Sequence, residues 1–273
     1  MLCYLPHLDY NLQRLGPDLQ HPRIIKDLRD IDGLCGELIE AAERDGRDVV
    51  VVSEYGITKV TDAVHINRAL RCAGLIQVRL ELGREVLDPG ASEAFAMADH
   101  QLAHVYVRAP ARIGEVKALL EGLDGVEYVL DADGLKAVGL NHTRSGELVA
   151  VSRADRWFSY YYWLDDARAP DFARTVDIHR KPGYDPVELF VDPELFMPKL
   201  SMAFKLAKRK LGLRSLLDVI SLKDTALVKG SHGRPTDDPG DGPLVISSRP
   251  ELLPDGPVHA TGFKQLVLDH VFS

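Results

Sequence analysis

Asp48-Val49-Val50-Val51-Val52-Ser53-Glu54-Tyr55-Gly56-Ile57 is the stretch on which the reading of this chain turns. Four consecutive β-branched valines without polar alternation form the pattern of a strand buried on both faces, as in a parallel sheet. Ser53, Glu54 and Tyr55 follow immediately, at the carboxyl end of that strand, where open α/β sheets place their ligands. The segment before it is helical in pattern. Ile24, Ile25, Leu28, Ile31, Leu34, Leu38 and Ile39 recur at helical spacing across 22–45, and Gly46 supplies a stop.

Working outward, the first residues repeat the same arrangement. Leu2 to Leu5 is an apolar run that predicts a strand, and His7, Asp9, Asn11 and Gln13 collect just after it, closed by Gly16-Pro17. Downstream, helices are predicted at 62–73 and 111–122, an extended segment at 76–87, a strand at 103–108 and another complete by Val129. Two strands, 147–152 and 157–163, are predicted to pair antiparallel across a short charged turn, the aromatic residues of the second lying in the core. Residues 165–198 are rich in Asp and Pro and hold little periodicity, which marks a long irregular loop. A helix at 199–211, strands at 225–229 and 244–248, the polar turn Lys229–Pro235 and a closing helix at 259–271 complete the order. The expectation is one α/β domain over 1–273, a central mostly parallel sheet flanked by helices, incomplete at the N-terminus because Met1 falls inside a predicted central strand.

Composition sets limits on partners. The chain has 273 residues, 45% hydrophobic and 27% charged, with a formal net charge of -8. That balance argues against a nucleic-acid polymer as partner, although Lys199, Lys205, Lys208, Arg209, Lys210 and Arg214 form a local basic cluster, read as the solvated face of a helix. Cys3, Cys35 and Cys72 have no paired metal spacing, so a reduced, cytoplasmic chain is expected. No apolar run approaches the ~20 residues of a membrane span, and no membrane partner is expected.

Three polar constellations remain, each at a predicted strand end: Asp9 with Gln13, Ser53-Glu54-Tyr55-Gly56, and Ser231-His232-Gly233. Carboxylate, amide, phenol and imidazole all donate to hard or borderline divalent ions. Asp99-His100-Gln101-Leu102-Ala103-His104 fits no such constellation and reads as the lead-in to a strand.

The order of these pieces resembles the alkaline phosphatase superfamily in its nucleotide pyrophosphatase and type I phosphodiesterase branch. The resemblance rests on Leu5-Pro-His-Leu-Asp9-Tyr-Asn-Leu-Gln13-Arg-Leu-Gly-Pro17, on Val52-Ser53-Glu54-Tyr55-Gly56-Ile57-Thr58, on Arg144-Ser-Gly-Glu-Leu-Val149 and on Gly230-Ser231-His232-Gly233. It implies a hydrolase of phosphodiester or pyrophosphate bonds in small phosphate esters, using one or two divalent metal ions. By the family pattern, Asp9, Gln13 and His232 would hold one ion, and Glu54 and Tyr55 would contribute to the other. Gln13 replaces a family His, Glu54 an Asp and Tyr55 a His. The oxygen donors would shift preference from zinc toward manganese or magnesium. The family nucleophile and a further metal-binding Asp are expected upstream of Met1. His179, Arg180 and Arg234 are candidates for substrate contact, and His7 and His142 could orient ligands. The alternative is a noncatalytic family member whose altered metal positions leave a binding or structural protein.

Overall fold

The computed structural model describes residues 1–176, 180–236 and 238–273. In chain order the N-terminal elements are α1 (His7–Leu15), α2 (Pro22–Arg44), β1 (Val50–Val52), β2 (Thr58–Lys59), β3 (Asp62–Val64) and α3 (Ile66–Cys72). Next come β4 (Val78–Glu81), β5 (Arg84–Leu87), β6 (Ala94–Asp99), β7 (Leu102–Val107), α4 (Ile113–Glu121), β8 (Val126–Leu130) and α5 (Ala132–Ala137). The remainder holds β9 (Leu148–Ser152), β10 (Arg156–Phe158), α6 (Pro198–Lys210), β11 (Gly230–Ser231), β12 (Val245–Ser247) and α7 (Phe263–Phe272). The chain divides into two compact units, Met1–Ile57 with Pro235–Ser273, and Thr58–Arg234.

In the first unit the expected opening strand is absent. Residues 1–6 have no regular structure and Met1, Leu2 and Tyr4 are exposed, whereas Leu8, Leu12 and Leu15 take helical spacing on α1. A run of four apolar residues does not distinguish a strand from the approach to a helix, and here the helix wins. His21 caps α2 by accepting from the Arg23 amide, with Pro22 at the first helical position. The valine run does form β1, but it pairs antiparallel with β12, Val50 opposite Ser247 and Val52 opposite Val245, and is only partly buried. It is not a central parallel strand.

The second unit holds the main core. β6, β7, β9 and β8 form a four-stranded antiparallel sheet in that order. Ala96, Ala98, Ala103, Val105, Leu148 and Ala150 face a cluster completed by α3, α4 and the aromatic run Phe158 to Trp163. That run is fully buried, as expected of it, but it extends beyond β10 without strand pairing. The pairing expected between 147–152 and 157–163 does not form: β9 lies between β7 and β8, and β10 pairs parallel with β3. The predicted helix at 62–73 is split into β3 and α3, and 225–227 is a 3-10 turn ahead of β11. The fold is α/β, built from small mixed sheets rather than a central mostly parallel one.

Candidate functional site

In the first unit, α1 places Asp9 and Gln13 one turn apart on a common face. Gln13 is fully buried, and its Nε2 donates to Asp9 Oδ1 at 2.8 Å. The Tyr55 hydroxyl, just past β1, donates to the same oxygen at 3.2 Å. Asp9 Oδ1 therefore accepts from both neighbours. Gln13 Oε1, also buried, has no hydrogen-bond donor among the described residues. Such an orphaned amide oxygen costs about 1–3 kcal/mol unless a donor or cation meets it.

Burial, reinforced by the Asp9 carboxylate, holds the Tyr55 phenol protonated well above its ordinary range. Tyr55 thus donates a hydrogen bond that orients Asp9. Glu54 follows β1 and is exposed. Gly56 is there for space: a Cβ at this position would stand 2.0 Å from the Asp241 carbonyl oxygen. Ser53 closes β1 by exchanging bonds with Leu244, its amide donating to the Leu244 carbonyl and its Oγ accepting from the Leu244 amide.

His7 does not join Asp9. It lies 3.8 Å from Asp27 Oδ1 on α2, and Asn11 donates to the other Asp27 oxygen at 2.6 Å, so these residues fasten α1 to α2. His7, Asp27 and Asp30 form the one group of three His, Cys, Asp or Glu side chains close enough to share an ion among the described residues. Asp30 is already engaged by Lys26 and is exposed, which makes the trio a helix clamp.

In the second unit, His232 follows β11, and its ring stacks on His100 with centroids 3.8 Å apart. His100 occupies the two-residue turn between β6 and β7 with φ of 57°, a left-handed conformation that such tight hairpins demand. The next residue, Gln101, donates its amide to the His232 carbonyl at 2.9 Å, and its buried side chain donates to the carbonyls of Ala154 and Arg156. Tyr184 also packs against His100, with centroids 4.4 Å apart. The hairpin tip thus fixes the loop that carries His232. His100 and Gln101 were not among the expected site residues. The only sequence signal was a histidine at a hairpin position, which nothing local distinguishes from a turn residue.

The expected substrate contacts fare differently. Arg234 is bound by Glu127 through two hydrogen bonds, one at 2.8 Å, so its guanidinium serves a structural ion pair. Arg180 is exposed at the start of a short turn, and His179 lies outside the described residues. Beside Arg180, Lys181 is buried between Asp185 at 3.1 Å and Glu188 at 2.6 Å, a packed ion cluster rather than an anion-facing cation. His142 caps its own turn, its Nδ1 accepting from the Arg144 amide.

The model of the type I phosphodiesterase / nucleotide pyrophosphatase family matches residues 1–185. No curated protein matches the chain. Among solved structures, phosphonoacetate hydrolase from Sinorhizobium meliloti 1021 in complex with phosphonoacetate is similar at 16% identity and a TM-score of 0.51, covering 96% of this chain and 49% of that one. Murine ectonucleotide pyrophosphatase / phosphodiesterase 5 is similar at 16% identity and a TM-score of 0.39, covering 81% of this chain and 56% of that one. The chain spans about half the length of the solved structures it matches. The agreement of the first of these extends over almost the entire chain, and the family match takes in Asp9, Gln13, Glu54 and Tyr55 together. On that match this chain belongs to the type I phosphodiesterase / nucleotide pyrophosphatase family.

Proposed function

We propose that this chain carries metal-holding residues of a hydrolase acting on phosphodiester or pyrophosphate bonds in small phosphate esters. The observation behind the reading is the buried Gln13 Oε1, without a donor among the described residues, on a side chain whose amide nitrogen is anchored to Asp9. A carboxylate and an amide oxygen suit a hard divalent ion, magnesium or manganese, better than zinc. Asp9 would hold the ion through Oδ2, since Oδ1 is taken by Gln13 and Tyr55. Glu54 and His232 enter the ligand set by the family pattern alone. When bound, the ion supplies positive charge for a phosphoryl oxygen and lowers the pKa of a coordinated nucleophile. The Tyr55 hydroxyl, bonded to Asp9 Oδ1, helps fix the carboxylate rotamer, and Gln13 presents its oxygen from a helical turn.

A second reading has its own support. At the position where the family has a His ligand, the Tyr55 phenol is engaged with Asp9. A protein that binds one ion and turns nothing over would look the same there. Hydrolysis of bis(p-nitrophenyl) phosphate and p-nitrophenyl thymidine monophosphate with manganese, magnesium or zinc separates the two. With the expected upstream nucleophile segment joined to this chain for the assay, the hydrolase reading expects metal-dependent turnover that falls at least 100-fold in Asp9→Ala, on the order of what loss of a metal ligand costs. Stoichiometric metal binding with no turnover of either ester would favour the noncatalytic reading.

A further inference from the structure

α6 has no buried residue, and the stripe it turns to solvent is apolar. Leu200, Ala203, Phe204, Ala207 and Leu211 follow the i, i+3, i+4, i+7, i+11 spacing of one helical face. All five are exposed, Leu200 at 59%, Phe204 at 60% and Leu211 at 77%. The opposite face docks on the protein: Met202 packs against the cluster around Trp157 and Val219, and Lys205 Nζ pairs with Asp218 at 2.8 Å. Phe196, Met197 and Leu213, just outside the helix, extend the exposed apolar surface.

Charge is segregated around this stripe. Residues 195–217 contain six cations and no Asp or Glu, within a chain of net charge -8. Lys205 is paired with Asp218 and the exposed Arg214 with Asp171 at 3.1 Å, but Lys199, Lys208, Arg209 and Lys210 make no ion pair among the described residues. Lys208, Arg209 and Lys210 suit the helix C-terminus electrostatically, which accounts for their sign but not for Lys199 or for the apolar stripe between the lysines. Lys199 and Lys210 flank one side of the stripe and Lys208 the other, its Nζ 4.8 Å from the Phe204 ring centroid. Long cationic stems beside an apolar stripe are the arrangement of a helix lying in a lipid interface, with alkyl portions buried and ammonium groups at the headgroups.

We propose that the outward face of α6 is a docking surface for an anionic lipid bilayer, with Leu200, Phe204 and Leu211 entering the headgroup boundary and Lys199, Lys208 and Lys210 meeting acidic headgroups. A protein groove that wraps a basic helix needs access to most of its circumference, and the inner side of α6 is occupied by its own domain. A flat, negatively charged partner needs only the face presented. The sequence expectation of no membrane partner rested on the absence of a span, and no helix among the described residues is long and apolar enough to cross a membrane. Surface binding requires none.

The test is flotation of the full chain with phosphatidylcholine vesicles, with and without about 30% phosphatidylserine, at low salt and at ~0.5 M salt. Binding only to anionic vesicles, weakened by salt, is expected. Leu200→Ser/Phe204→Ser and Lys208→Glu/Lys210→Glu should each lower it by roughly tenfold or more, whereas the charge-matched control Lys136→Glu/Lys264→Glu should not. In Phe204→Trp the new indole should blue-shift on vesicle addition, against a quiet background because Trp157 and Trp163 are fully buried. Circular dichroism of each variant establishes that it is folded. Absence of binding, equal binding to neutral vesicles, or equal loss in the control overturns the proposal. So does concentration-dependent self-association abolished by Leu200→Ser/Phe204→Ser, which would make a second copy the occupant, or capture by acidic polypeptides without vesicle binding.

Discussion

The imidazole rings of His100 and His232 lie 3.8 Å apart, tilted by 34°, and the hairpin tip that carries His100 also donates a backbone bond to the His232 carbonyl. One ring holds the other in place. His100 is therefore a positioning residue for His232, and burial, with His232 alongside, keeps its own ring neutral well below the ordinary histidine range. On the ligand role proposed for His232, His100→Phe, which retains a flat ring, should preserve metal affinity within a few-fold, whereas His100→Ala should weaken it by about 10–100-fold, the range seen when a ligand loses its support. Calorimetric metal titration of both variants decides. Equal loss in both would mean that the stacking is not what matters.

Gly56 admits no side chain because the Asp241 carbonyl is already there. Gly56→Ala should displace the 239–242 turn and destabilise the chain by about 1–3 kcal/mol, the usual cost of overpacking, seen as a lower urea midpoint. The motif glycine is then a packing requirement, measurable apart from any activity.

Lys181, Asp185 and Glu188 form a buried ion cluster in which burial raises the Asp185 carboxyl and Lys181 opposes that shift. Lys181→Met removes the cation that pairs with Asp185 and Glu188 among the described residues and should cost about 3–5 kcal/mol, while Lys181→Met/Asp185→Leu/Glu188→Leu should recover part of it. Chemical denaturation of the two variants gives the comparison.

His65 stacks on Tyr161, and its Nδ1 lies 2.5 Å from Ser159 Oγ. Burial, with Arg68 beside it, lowers its pKa to about 4. Because the unfolded chain titrates near 6.5, the unfolded state binds more protons between these values. The contribution of His65 is present above pH ~6.5 and is lost as pH falls toward 4, amounting to about 3 kcal/mol. Urea midpoints from pH 7 to pH 4 should fall more steeply for the native sequence than for His65→Gln.

Some of this was legible in the sequence. α2, α4, α6 and α7 and the burial of Trp157 to Trp163 follow from periodicity and apolar content, which report local geometry and burial directly. Partner choice is not local. Val50 to Val52 reads as a strand, but nothing in four valines says that 245–247 will pair with it antiparallel. Leu2 to Leu5 reads as a strand, and a short apolar run does not reveal that the helix α1 follows it and carries Asp9 and Gln13. The roles of Gln101, His100 and Lys181 depend on contacts between residues distant in sequence or on burial that composition does not reveal.

Asp9 and Gln13 are proposed to form an oxygen-lined position for a divalent cation. Equilibrium dialysis of the chain against manganese, with bound metal read by mass spectrometry for the native sequence, Asp9→Ala and Gln13→His, tests it directly. About one manganese ion per chain is expected, lost in Asp9→Ala, with the preference moved toward zinc in Gln13→His because imidazole is the softer donor. Background manganese in the native chain, or the same occupancy in Asp9→Ala, would contradict it.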